Sequence, residues 1–297
     1  MIKLTDKNER QALRFMAPFL ILMFIFTIIV FGIGFLTSLT DAQGINPGKN
    51  IGFLNFKNIL KDAYFWNSVY VSFKFAAVSV AIQIPAAFLI SLWIESLPYK
   101  RTQSFLKAAF FIPSLINTLV AGILFRLLFT GEQCIANIII GFLGGNPNMN
   151  WLDDKTLAFP LLVFVSFWQC IGFQIIYFSA NLRSLDQSPY EAARIDGAGR
   201  LNILKNITLP LMKPALIFMT ITSAVSSLLV FDLILGLFQY NIYENVTGII
   251  LYIYLRAFQW DLEIGAASAA GWIAFFLILA VSLLQLKFLG LGEKHED

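Results

Sequence analysis

The sequence predicts an all-α integral membrane protein. It reads as a single domain over residues 1–297, with six transmembrane helices and a helix-turn-helix on the cytoplasmic face between the fourth and the fifth. Three observations predict this: the composition, six long uncharged stretches, and a lopsided distribution of basic residues. Hydrophobic residues make up 58% of the chain and charged residues 13%, where a soluble domain carries about 25% charged. Phe alone occurs 30 times, and the mean hydropathy is +0.74. A water-soluble fold of this size cannot cover that much apolar surface. A soluble enzyme, a nucleic-acid binder and a disordered chain are therefore excluded. A net charge of +3 gives no reason to expect an anionic partner.

A helix needs about 20 apolar residues to cross the hydrocarbon core, and backbone inside lipid must satisfy its own hydrogen bonds. Phe15–Leu36 offers 22 residues without a charge. It is too long for a signal peptide and lacks a small-residue cleavage site, so it is expected to be retained. Phe75–Ile94 follows Lys74, Ala108–Phe125 lies between Lys107 and Arg126, and Thr156–Leu182 runs for 27 residues. Pro214–Phe231 continues past Asp232 as LILGLF, and Ile264–Leu286 is the last. The spans are expected at about 15–36, 68–94, 107–128, 156–182, 214–238 and 264–288. Two other stretches only imitate spans. Gln133–Leu152 is crowded with Gly and Asn in its second half and reads as a short interfacial helix and a turn. Asn245–Leu255 would be about 16 Å long as a helix, too short to cross.

Basic residues orient the bundle. With a cytoplasmic N-terminus, the inner segments carry Lys3, Lys7, Arg10, Arg14, Lys100, Arg101, Lys107, Arg183, Arg194, Arg200, Lys205, Lys213, Lys287 and Lys294. The outer segments carry Lys49, Lys57, Lys61, Lys155 and Arg256. This imbalance places both termini in the cytoplasm. Lys74 and Arg126 fall toward the outer ends of their spans, where they either snorkel to the interface or face a solute path.

Motifs for common chemistries are missing. His295 is the only histidine, which leaves no His-paired metal site and no Ser-His-Asp triad. Cys134 falls in an external loop and Cys170 in mid-span, so no disulfide is expected. The run GINPGKN at 44–50 is one residue short of a phosphate loop and ends in Asn50 where Ser or Thr is required.

The segment Arg183–Lys213, RSLDQSPYEAARIDGAGRLNILKNITLPLMK, has a different character. Pro189 can open a helix and Glu191 then sits in its first turn, favoured by the dipole. Ala192 and Ala193 let another surface approach closely, and Gly197 and Gly199 permit a sharp reversal. A second helical stretch starts at Leu201–Ile207, and Pro210 and Pro214 are expected to end it at the membrane. By periodicity alone this could equally be an amphipathic loop on the headgroups. However, Glu191-Ala192-Ala193, three residues, Gly197, nine residues, Ile207, one residue, Leu209-Pro210 resembles the EAA signature of ABC importer permeases. The longer string Tyr190–Ala198 and Ile207–Leu211 is similar to their maltose-type carbohydrate branch. Asn55-Phe56 with Phe65-Trp66-Asn67, then Trp168-Gln169, Gly172-Phe173, Leu182, Phe231-Asp232 and Gly265–Ala270, extend the resemblance over most of the chain. Two departures stand where solute or a binding protein would be met. Pro113-Ser114-Leu115-Ile116-Asn117 replaces a Pro-aromatic-x-x-Pro run, and Gln239-Tyr240-Asn241-Ile242 replaces a Gly-Gly-Pro turn.

The resemblance implies a non-catalytic subunit of a type I importer in a bacterial or archaeal inner membrane, with no cofactor in this chain. Its implied partners are membrane lipid, a second, different permease chain, two ATPase subunits that bind ATP and Mg, and an extracytoplasmic solute-binding protein. Glu191, Ala192, Ala193, Asp196, Gly197, Ile207, Leu209 and Pro210 are the implied ATPase-coupling residues. For the solute path, three polar runs lie near mid-span: Ser114, Asn117 and Thr118; Gln169 and Phe173; and Thr222, Ser223, Ser226 and Ser227. Each repeats at helical spacing and so marks one face. Neutral hydroxyls, amides and an aromatic suit a sugar or oligosaccharide, although Ser and Thr also pack membrane helices. Gln83 and Gln174 are lesser candidates. If Lys74 and Arg126 lined the path, a glycerol-phosphate-like or acidic saccharide would fit instead. An ion-coupled secondary transporter would need paired charges near the midplane and internal repeats, and neither is evident. A membrane scaffold would leave the signature unexplained.

Overall fold

The computed structural model describes residues 7–131, 134–146, 148–239, 244–260 and 262–288. Among them the regular structure is helical, with two isolated bridges, Thr40 with Asn50 and Gln43 with Asn46. The helices are α1 (Lys7–Phe24), α2 (Val30–Ser38), α3 (Leu54–Lys61), α4 (Ala63–Glu95), α5 (Lys100–Phe111), α6 (Thr118–Phe129) and α7 (Ile135–Phe142). They continue as α8 (Lys155–Ser184), α9 (Ser188–Ile195), α10 (Arg200–Ile203), α11 (Leu209–Leu228), α12 (Asp232–Phe238), α13 (Ile249–Phe258) and α14 (Ile264–Phe288). Lys3, Gln133, Pro147, Tyr240, Asn241, Ile242, Lys294 and His295, which the sequence reading used, lie outside the described residues.

Among the described residues, five helical runs are long and apolar enough to cross a membrane: Arg14–Ser38, Ala63–Glu95, Lys155–Ser184, Arg200–Leu228 and Ile264–Lys287. The first passes through a π turn at Ile25–Ile29. The second begins at Ala63, ahead of the expected residue 68. The expected third span is a pair of helices, Lys100–Leu115 and Thr118–Phe129, bent by 93°. Pro113 has no N–H to continue α5, so the chain tightens into a 3₁₀ turn at Ile112–Leu115. Asn117 then caps α6, its Oδ1 accepting from Leu119 N at 3.0 Å.

The fifth span differs from expectation at both ends. Pro210 and Pro214 do not stop the helix, which is continuous from Arg200 to Leu228. A wider π turn at Leu204–Thr208 precedes Pro210 and makes room for a ring that would otherwise strike the carbonyl one turn back. At the other end the helix stops at Leu228, and α12 resumes at Asp232 after a three-residue break at 229–231.

Two compact units divide the chain. One comprises Met1–Asp62 and Ile253–Ala274. Within it, Trp272 takes edge contacts from Phe31 and Phe35 at 5.2 and 5.4 Å. Asn55 Nδ2 donates to the carbonyls of Ser38 and Thr40 at 2.9 and 2.7 Å, satisfying the end of α2. Arg256 is held between Asp62 at 3.0 Å and Glu263 at 2.8 Å.

The other unit comprises Ala63–Tyr252 and Phe275–Asp297. Here α4 and α8 run parallel and in step. Phe75 meets Phe159, Phe88 meets Phe178, and Glu95 at the end of α4 meets Arg183 at 2.8 Å. Glu95 also pairs with Lys107 of α5, and Arg183 Nη2 donates to Gln103 Oε1 at 2.6 Å. This cluster ties three helices at one end of the bundle. The core packed behind it includes Phe88, Ile94, Ile175, Phe178, Met212 and Met219. At the opposite end, Asp154 caps α8. Its Oδ1 accepts from the Thr156 hydroxyl at 2.6 Å and the Thr156 N–H at 2.7 Å, which hold its carboxyl below the usual carboxylate range. Asn137 of α7 is buried between Met149 O and Trp151 Nε1, so the short helix and its turn pack as one piece.

Candidate functional site

A cavity of about 720 Å³ opens among α4, α6, α8, α11 and α12. All nine residues expected on a solute path line it: Ser114, Asn117, Thr118, Gln169, Phe173, Thr222, Ser223, Ser226 and Ser227. Gln169 is the middle of the 30-residue α8, so the cavity lies at mid-span on the span reading. The route by which these residues meet differs from the one expected. Ser114, Asn117 and Thr118 do not share one helix face. They converge because the chain breaks there, and the break uses their polar atoms. Ser114 Oγ donates to Phe111 O at 2.6 Å, and the Asn117 carboxamide caps α6. Gln169 Nε2 donates to Ile116 O at 2.9 Å and to Thr118 Oγ1 at 3.3 Å, bracing the bend from α8. Thr222 donates back to Phe218 O at 2.9 Å.

One side of the cavity is a buried amide network. Gln83 Nε2 donates to Ser166 Oγ at 3.2 Å, and Gln174 Nε2 donates to Gln83 Oε1 at 3.1 Å and Ser223 Oγ at 3.2 Å. Gln83 and Gln174 are 2% and 3% exposed, yet both line the cavity. From sequence they are only lesser candidates. The available signal was the cost of an isolated carboxamide inside lipid, which is retained where it finds a partner. Ser166, Cys170, Phe231 and Asp232 also line the cavity and were not assigned to it from sequence. Cys134 and Cys170 are both free, the first buried and the second exposed.

Neither cation in question lies on this cavity. Lys74 sits over the Phe159 ring, 4.3 Å from its centroid. Arg126 lines a second cavity of about 170 Å³ with Thr130, Asn150, Asp153, Phe238 and Gln239. Among the described residues, no three His, Cys, Asp or Glu side chains group as a metal site.

The Arg183–Lys213 segment folds as the short helices α9 and α10 with a turn between them. Pro189 and Glu191 both lie in the first turn of α9. Gly197 has φ +74°, and its N–H bonds Arg194 O at 3.1 Å while Ala198 N bonds Ala193 O at 2.9 Å. Glu191, Ala192, Asp196, Leu209 and Pro210 are exposed, and Ala193 and Ile207 half-buried. Ile195 and Leu201 project 86% and 82% exposed on either side of the turn. Tyr190 OH donates to Thr208 Oγ1 at 3.2 Å, fastening α9 to the π turn that leads into α11.

Residues 83–290 match the family described as binding-protein-dependent transport system inner membrane component. The chain is 32% identical over 281 residues to the arabinooligosaccharides transport system permease protein AraP of Bacillus subtilis (strain 168), covering 93% of this chain and 87% of the relative. The chain belongs to this family. This permease component is also 32% identical over 274 residues, 91% of each chain, to the probable starch degradation products transport system permease protein AmyD of Thermoanaerobacterium thermosulfurigenes. Its fold matches a chain of a bacterial ABC transporter involved in the import of the acidic polysaccharide alginate. That match has a TM-score of 0.84 and 21% identity, and covers 97% of this chain and 98% of that one. The permease therefore shares its helical fold with that transporter chain.

Proposed function

We propose that this permease moves a neutral sugar or oligosaccharide across the inner membrane, driven by ATP hydrolysed on partner ATPase subunits. The observation that carries the reading is the mid-span cavity. It gathers hydroxyls and amides from α4, the α5–α6 bend, α8 and α11 and has the exposed Phe173 to stack on a sugar ring. Among the described residues Asp232 is its one ionisable carboxylate, and no lysine or arginine lines it. That favours a neutral solute over an acidic one and gives no charge pair for ion coupling. The relatives named for arabinooligosaccharides and starch degradation products point the same way.

On this reading both termini are cytoplasmic, and the α9–α10 turn docks on an ATPase. Glu191 supplies the charged contact, Ala192 and Ala193 the close approach, and Asp196, Gly197, Ile207, Leu209 and Pro210 the shape of the turn and its join to α11. Nucleotide-driven closure biases the bundle between two packings that open the cavity to either side in turn. A second permease chain completes the pore and an extracytoplasmic binding protein delivers the solute. The test is uptake by vesicles holding the permease with its neighbouring permease, ATPase and binding protein. ATP-dependent uptake of a neutral oligosaccharide, weakened by Glu191→Ala with membrane insertion intact, is the expected result. Uptake that persists without ATP but collapses with the ion gradient would reject it.

A further inference from the structure

We propose that the smaller cavity beside Arg126 is a second sugar subsite. It would take one neutral ring of an oligosaccharide whose neighbouring rings occupy the main cavity. This rests on the sugar-importer reading above. The two cavities share a wall. Asn117 and Thr118 at the start of α6, and Asp232 and Leu233 at the start of α12, line the large one. Arg126 and Thr130 at the end of α6, and Phe238 and Gln239 at the end of α12, line the small one. Thr118 and Arg126 are about 12 Å apart along the helix. The two helices are pressed together between these ends. A Cβ on Gly122 would lie 2.9 Å from Gly236 Cα, and one on Gly236 would lie 2.5 Å from Leu119 O. With backbones in contact, α6 and α12 form one rigid wall, and the cavities at its two ends keep a fixed spacing.

The chemistry of the small cavity suits hydroxyl groups. The Arg126 guanidinium makes no ion pair among the described residues and presents a planar fork of donors, the geometry that spans two neighbouring oxygens. Thr130 and Asn150 add donors and acceptors. Asp153 also lines the cavity, so a solute carboxylate would meet a like charge there while a hydroxyl would find both a donor and an acceptor. The volume of about 170 Å³ equals the share of five or six waters, room for a single ring. Gln239 reaches this cavity from a backbone with φ 45° and ψ −110°, which glycine would adopt at far lower cost. Strain of that kind persists where the surroundings hold a side chain in place.

The experiment uses native Cys170, which is exposed and lines the large cavity. The assembled transporter is studied in nanodiscs with Cys134→Ser, with and without Thr130→Cys. Alkylation rates of the two thiols are measured by mass spectrometry at millimolar maltose, maltotriose and maltotetraose, and with arabino-oligosaccharides of the same lengths. Short sugars should slow labelling of Cys170 severalfold and leave the Thr130→Cys thiol unaffected, whereas longer ones of the accepted series should slow both. Adding Arg126→Leu should remove the second protection and keep the first, with the melting temperature of the complex unchanged. Protection of Cys170 with no sugar length slowing the Thr130→Cys thiol would overturn the subsite and leave the importer reading intact. Failure to protect either thiol would overturn both. Protection of the Thr130→Cys thiol by the binding protein without sugar would assign the cavity to protein docking instead.

Discussion

Gln169→Leu separates bracing from binding in the main cavity. The amide of Gln169 is 6% exposed and donates to Ile116 O, a carbonyl at the bend between α5 and α6 that receives no backbone donor among the described residues. Leucine keeps the approximate volume and removes the donor. Leaving a buried acceptor unsatisfied costs about 1–3 kcal/mol, and measured hydrogen bonds between membrane helices reach about 1.7 kcal/mol. The expected loss is therefore about 1–2 kcal/mol, a factor of roughly 5–30 in the folded-to-unfolded ratio. Ser226→Ala is the matched control. Its hydroxyl lines the same cavity and makes no bond with the described residues, so stability should move by less than about 0.5 kcal/mol. Denaturant unfolding in mixed micelles, followed by Trp fluorescence, reads stability, and vesicle uptake reads function. Gln169→Leu should lower the unfolding midpoint and uptake together, whereas Ser226→Ala should raise KM for uptake at an unchanged midpoint. An unchanged midpoint in Gln169→Leu would mean that cavity water satisfies Ile116 O, and the bracing argument would fail.

Gly197 sits at φ +74°, and a Cβ added there would meet no atom within 4 Å, so a substitution faces only backbone strain. Gly197→Ala should cost about 1 kcal/mol and Gly197→Val up to about 2 kcal/mol, with solute-stimulated ATP hydrolysis in the assembled complex falling in the same order. Wild-type stimulation in Gly197→Val would show that the turn does not transmit. Glu95→Ala leaves Lys107 and Arg183 facing each other at 14% and 53% side-chain exposure. Between the exposed and buried limits this should destabilise by about 1–3 kcal/mol, with Glu95→Gln milder. Equal midpoints for Glu95→Ala and wild type would remove the cluster from the account of helix tying. A reporter active only outside the membrane should be silent when fused after Asp297 and active when inserted at Asn148. An active C-terminal fusion would reject six crossings with both termini inside.

Much of this protein is legible in its sequence, because the bilayer leaves few options. Backbone in lipid must be helical, so apolar runs such as 15–36, 156–182 and 264–286 translate almost directly into α1–α2, α8 and α14. The α9–α10 turn was equally readable, since Pro189, Gly197 and Gly199 are local determinants. So were the stripes on α8 and α11, where helical spacing alone puts Gln169 with Phe173 and Thr222 with Ser226. Tertiary structure decided what hydropathy cannot encode. Hydropathy is the same for a straight span and for one bent by 93°, so the α5–α6 bend rests on Pro113, the Asn117 cap and a donor arriving from Gln169 on another helix. Pro210 reads as a stop in sequence but is accommodated by a π turn, a matter of how neighbouring turns relax. The Gln83–Gln174–Ser223 network joins residues 49 and 91 positions apart. Only packing can show that the Gln83 and Gln174 carboxamides meet each other and the Ser166 and Ser223 hydroxyls across three helices, because the energy that keeps them in lipid belongs to the contact and not to any one residue.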